Sequence, residues 1–123
     1  MRILIADDDK VWARVLSLQM SSAGHEALAA GTWGEAGRMA EQALPDAILL
    51  DHSLPDGEAE DFCARLRSDA RFDGTALLLF SGAGGDGCEW ADRCLLKGEP
   101  METLSAEITA AVAARRAPAA GGK

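Results

Sequence analysis

Arg2-Ile3-Leu4-Ile5-Ala6-Asp7-Asp8-Asp9 is the stretch on which the reading of this chain turns. An apolar run of strand length ends abruptly in three consecutive aspartates. The run is far short of the ~18 residues of a membrane span, and the acids that follow it do not belong to a secretory leader. It is continuous rather than alternating, the pattern of a parallel strand buried on both faces. Two more clear runs share this design: Ala47-Ile48-Leu49-Leu50 ends in Asp51, and Ala76-Leu77-Leu78-Leu79-Phe80 ends in Ser81. A shorter run, Cys94-Leu95-Leu96, ends in Lys97, and Glu26 to Ala30 is a weaker strand candidate.

Helix-period stretches separate these runs. Residues 10–20 place apolar groups at Val11, Val15, Leu16, Leu18 and Met20, with Gly24 as a stop. Residues 33–43 follow Thr32 as a cap, with Glu35 at capping-box spacing. Residues 58–68 put Phe62, Cys63 and Leu66 on one side. A last helix from Pro100 to about Arg116 carries Met101, Leu104, Ile108 and Val112. Strict alternation of strand and helix predicts an α/β fold, a doubly wound parallel sheet of five strands. Residues 1–116 are expected to form one domain and 117–123 a disordered tail.

Composition narrows the function classes. The chain has 123 residues and a net charge of −8, from 12 basic and 20 acidic residues. That balance argues against a nucleic-acid or anionic-membrane surface as its main partner. Three cysteines without a CxxC pair and two histidines make a structural zinc site a poor fit, and a reduced, cytoplasmic setting is the default.

In open parallel sheets, ligands bind beyond the carboxyl ends of the strands. Parallel strands would bring Asp7, Asp8, Asp51, Ser81 and Lys97 to one edge. Asp9 fits the cap of the first helix better than a ligand set. Carboxylates so close cannot all stay ionised without a cation or raised pKa values. Mg2+ suits them, because it takes one or two carboxylates and leaves a position for a phosphoryl oxygen. Carboxylates, Mg2+, a lysine and a hydroxyl are the parts needed to transfer a phosphoryl group to an aspartate.

The motifs ILIADDD (3–9), PDAILLD (45–51) with LPDG (54–57), LLLFSG (77–82) and LLKG (95–98) resemble the response-regulator receiver domains of two-component signalling. The likeness extends over residues 1–116. It implies a flavodoxin-like sheet of order 2-1-3-4-5 and a phosphorylatable switch rather than an enzyme. Asp51 would be the phosphoacceptor. Asp7 and Asp8 would hold Mg2+, with Ser53 giving its backbone carbonyl. Ser81 and Lys97 would contact the phosphoryl group. The implied partners are a histidine kinase or histidine phosphotransfer protein and a downstream target protein. Output would be protein–protein binding or onward phosphotransfer.

Beside Gly98 in place of the common proline after Lys97, two features depart from that pattern. Cys94 stands where the family usually places a switch Tyr or Phe, three residues before Lys97. The segment between Ser81 and Lys97 is short and holds Gly82, Gly84, Gly85 and Gly87, which predicts a shortened or irregular fourth helix. They motivate an alternative reading, a receiver-like binding module that works without phosphorylation.

Overall fold

The computed structural model describes residues 1–80 and 90–117. Seven strands occur among them: β1 (Arg2–Ala6), β2 (Glu26–Ala30), β3 (Ala47–Leu50), β4 (Ser53–Leu54), β5 (Gly57–Glu58), β6 (Ala76–Phe80) and β7 (Arg93–Leu95). The helices are α1 (Lys10–Ser22), α2 (Trp33–Ala43), α3 (Ala59–Arg67) and α4 (Met101–Arg116), with a 3-10 turn at Ala70–Phe72. Five strands form one parallel sheet in the order β2-β1-β3-β6-β7. This is the expected 2-1-3-4-5 order. The numbering differs only because β4 and β5 form a two-rung antiparallel hairpin outside the sheet.

The continuous apolar runs are explained by burial on both faces. Leu4, Ala6, Ile48, Leu50, Leu77 and Leu79 point into one core, packed against Ala36 and Ala40 of α2 and Phe62, Cys63 and Leu66 of α3. The alternate residues Ile3, Ile5, Leu49, Leu78 and Phe80 point into a second core, against Leu16 and Met20 of α1 and Leu104 and Ile108 of α4. Burying each of these larger side chains contributes roughly 1.5–3 kcal/mol.

Several local expectations are refined. In α1 the buried residues are Ala13, Leu16 and Met20, whereas Val11, Val15 and Leu18 are exposed. The helix is where the apolar spacing puts it, and small Ala13 joins Leu16 and Met20 on its buried side. Pro100 caps α4 from one position outside it. Strand β7 begins one residue earlier than expected and Leu96 is exposed. The capping box at Thr32 is a variant: Thr32 Oγ1 accepts from Glu35 N, but the Glu35 carboxylate takes the N–H of Gly31. The expected irregular fourth helix and most of the expected tail lie outside the described residues. Among the described residues, no helix is long and apolar enough to cross a membrane.

Candidate metal and phosphoryl site

The sheet register aligns the ends of β1 and β3. Ala6 pairs with Leu50, and Asp51 N donates to Ala6 O at 3.0 Å. Asp7 and Asp51 therefore leave adjacent parallel strands at the same level. This is the switch point, since β1 leads through α1 to β2 on one side and β3 leads toward β6 on the other. Ligand oxygens from Asp7, Asp8 and Asp51 all lie within 4.8 Å of one another.

The three carboxylates differ in environment. Asp8 is exposed, Asp51 is partly exposed and Asp7 is buried. Asp7 Oδ1 accepts from Asp9 N at 2.9 Å. Its Oδ2 is buried without a hydrogen-bond partner among the described residues, although Lys97 Nζ stands 3.1 Å away. Burial pushes the Asp7 carboxyl above its usual 3.8. The Asp9 amide and Lys97 oppose that rise, and the charge of Asp51 adds to it. Asp51 Oδ1 accepts from His52 N at 2.9 Å and lies 3.9 Å from Lys97 Nζ. Asp9 is the cap of α1, its Oδ1 accepting from Val11 N and Trp12 N.

Lys97 follows β7 and is fixed by what comes next. Gly98 adopts φ +95°, a left-handed turn that suits glycine, and Glu99 accepts from Leu96 N at 2.9 Å. Earlier in the chain, Asp92 holds the start of β7. Its N donates to Leu77 O, and its carboxylate accepts from Leu77 N and Arg67.

Asp7, Asp8, Asp51 and Lys97 are thus brought together. Ser53 opens the hairpin two residues after Asp51. Ser81 lies outside the described residues. The donor set fits a hard divalent cation, because every ligand is an oxygen and the buried Asp7 Oδ2 faces only the Lys97 ammonium among the described residues.

Sequence reasoning missed two contributors. Asp56 reaches back to α2: its Oδ1 accepts from Trp33 N at 2.8 Å and its Oδ2 from Gly34 N at 3.0 Å. Trp33 Nε1 returns a bond to Gly57 O at 2.8 Å, and its ring stacks on Phe62. These bonds clamp the hairpin carrying Ser53 to the start of α2. Trp12 stands under Lys97, with Nζ 5.6 Å from its ring centroid. The signal for Asp56 was present in LPDG; nothing local announced Trp12.

No family model matches the chain. Among curated proteins, the DNA-binding dual master transcriptional regulator RpaA of Synechocystis sp. is 36% identical over 85 residues, 68% of this chain and 34% of RpaA. The DNA-binding response regulator MtrA of Mycolicibacterium smegmatis is 33% identical over 69 residues, 56% of this chain and 30% of MtrA. Among solved structures, a putative response regulator from Chloroflexus aurantiacus superposes with TM-score 0.83 at 28% identity, covering 91% of this chain and 97% of that one. The chain belongs to the response-regulator receiver domains. A sensor protein from Polaromonas sp. JS666 shares the fold, with TM-score 0.85 at 23% identity over 93% of this chain and 97% of that one. This receiver chain spans about a third of the length of the curated relatives. Both are named as DNA-binding, so the acidic balance of the receiver says nothing about nucleic-acid contacts of a longer protein that contains it.

Proposed function

We propose that this receiver is the phosphoacceptor of a two-component relay, with Asp51 taking the phosphoryl group. The observation that carries this reading is the meeting of Asp7, Asp8 and Asp51 oxygens within 4.8 Å, with Lys97 between Asp7 and Asp51. Three carboxylates this close favour a bound cation. Asp7 and Asp8, with Asp51 and the Ser53 carbonyl, would hold Mg2+, which when bound supplies charge neutralisation for the incoming phosphoryl oxygens.

Asp51 then acts as the nucleophile. One carboxylate oxygen forms a bond to phosphorus as the bond from phosphorus to the donor's imidazole nitrogen breaks, and the imidazole leaves with that electron pair. Lys97 stands close enough to Asp51 to meet the new anionic oxygens, and Ser81 is assigned a hydrogen bond to one of them. The donor would be a histidine kinase or phosphotransfer protein. Val11, Val15 and Leu18 recur at helical spacing on the exposed side of α1, the helix that Asp9 caps. This gives a donor helix an apolar strip to pack on. The receiver acts as a switch, with output by protein binding or onward transfer. The intact acid cluster and Lys97 disfavour a module that works without phosphorylation.

The test is small. The chain is incubated with acetyl phosphate or beryllofluoride, with and without Mg2+, beside Asp51→Asn. A Mg2+-dependent adduct on Asp51, lost in the variant, is expected. No adduct in the unsubstituted chain overturns the reading.

A further inference from the structure

Lys97 has three competing neighbours. Its ammonium is 3.1 Å from Asp7, 3.9 Å from Asp51 and 5.6 Å from the centre of the Trp12 ring. Trp12 is rigidly placed. Its backbone N–H is bonded by the cap Asp9 at 3.0 Å, and its ring meets Phe80 edge-on at 5.6 Å and 87°. Its Nε1 is buried with no partner among the described residues. The ring is held by packing and capping and offers its π face to a cation.

We propose that Trp12 is a positioning residue that holds Lys97 in the unphosphorylated arrangement and releases it when Asp51 is loaded. This inference rests on the phosphoacceptor reading. The nearest of the site carboxylates to Lys97 is Asp7, at 3.1 Å, rather than Asp51, at 3.9 Å, and the ring supports that placement. A phosphoryl group on Asp51 brings new negative charge on the Asp51 side of Lys97 and draws the ammonium from the ring. The cation–π attraction therefore belongs to the resting state. A contact favouring one state shifts the equilibrium only by its differential strength. Removing the ring face weakens the resting state and leaves the loaded one largely untouched.

The placement also supplies what position 94 lacks. Cys94 provides no aromatic side chain on β7. The aromatic ring beside the site comes instead from α1, on the same helix as exposed Val11, Val15 and Leu18. Loading of Asp51 is thereby reported to α1 through Lys97 and Trp12.

The experiment compares the unsubstituted chain, Trp12→Phe and Trp12→Leu at saturating Mg2+, titrating beryllofluoride and counting the adduct by fluorine NMR. Trp12→Leu should bind roughly two- to fivefold tighter, the equivalent of an exposed cation–π contact. Trp12→Phe, which keeps a π face, should stay near the unsubstituted value. In the unsubstituted chain, the indole N–H resonance of Trp12, assigned by its loss in Trp12→Phe, should shift as adduct forms while that of Trp33 stays in place. This indole measurement decides the matter if Trp12→Leu fails to fold. An adduct that forms with the Trp12 resonance unmoved, or with Trp12→Leu binding equally or more weakly, overturns the inference and spares the phosphoacceptor reading. No adduct in the unsubstituted chain overturns both.

Discussion

Asp7→Asn should make the metal-free domain more stable while destroying its affinity for Mg2+. At an effective dielectric of about 20, unit charges no more than 4.8 Å apart repel by at least about 3.5 kcal/mol. Asp7 has two such neighbours, Asp8 and Asp51. Lys97 at 3.1 Å returns about 5 kcal/mol on the same scale. The balance is roughly 2 kcal/mol against an ionised Asp7, less some screening at exposed Asp8, before the cost of burying the carboxylate is added. Asparagine removes the charge, keeps an acceptor for the Asp9 amide and leaves Lys97 to close on Asp51. A gain of about 1–2 kcal/mol corresponds to a melting temperature about 3–8 °C higher for a domain of this size.

The assay is thermal melting by circular dichroism in a chelator at neutral pH, repeated with Mg2+. Bound metal stabilises only the chain that can bind it, by about 2.7 kcal/mol at a hundredfold excess over Kd. The order of the two melting temperatures should therefore invert when Mg2+ is added. The pH dependence follows from the raised Asp7 carboxyl. Above its native value the folded state carries an ionised Asp7 at a cost. As pH falls through that value toward 3.8, the native state takes up its proton first and the cost fades. The advantage of Asp7→Asn should be full at neutral pH and vanish in acid. If Asp7→Asn melts below the unsubstituted chain in chelator at neutral pH, the electrostatic reasoning is wrong.

Two further outcomes test the packing around the site. Asp56→Ala should lower the melting temperature at neutral pH, because the N–H groups of Trp33 and Gly34 lose their acceptor. Those two bonds hold the Asp56 carboxyl below 3.8, so the difference from the unsubstituted chain should narrow as pH falls from 3.8 through the depressed value, read from paired melts. Cys63 is fully buried and burial pushes its thiol up to about 12. Iodoacetamide at pH 8 should leave it unmodified in the native protein and modify it after unfolding, as mapped by peptide mass spectrometry.

The sheet was legible because its strands are buried twice. Residues such as Leu49 and Leu50 serve opposite cores, so the run shows no alternation, and that lack of alternation is itself the mark of a parallel strand. The acid edge was legible for a related reason. Parallel strands place all their exits at one end, so Asp7, Asp51 and Lys97 could be grouped before any distance was known. Helix faces were less legible. Val11, Val15 and Leu18 outweigh Ala13 in hydrophobicity, yet close packing on a sheet selects for small size as well as apolarity. Contacts between distant segments were not legible at all. Asp56 lies 23 residues from the Trp33 amide it binds. The same carboxylate in LPDG would suit a turn whether or not a helix start stood opposite.

Lys97 shows why such distant contacts matter more here than local ones. Its ammonium occupies one position at a time, and on the proposed reading two events act on its three neighbours. Neutralising Asp7 with a bound cation loosens the shortest of the three contacts. Loading Asp51 strengthens the second and draws the ammonium from the third, the ring of Trp12. Both events push Lys97 the same way, away from Asp7 and toward Asp51. On the proposed reading the two sites would be positively coupled through one side chain, and by linkage each ligand would tighten the other by the same factor. The acidic excess of the domain is thus partly a stored bias. On the proposed reading, neutralising the cluster would free Lys97 to move toward the loaded aspartate.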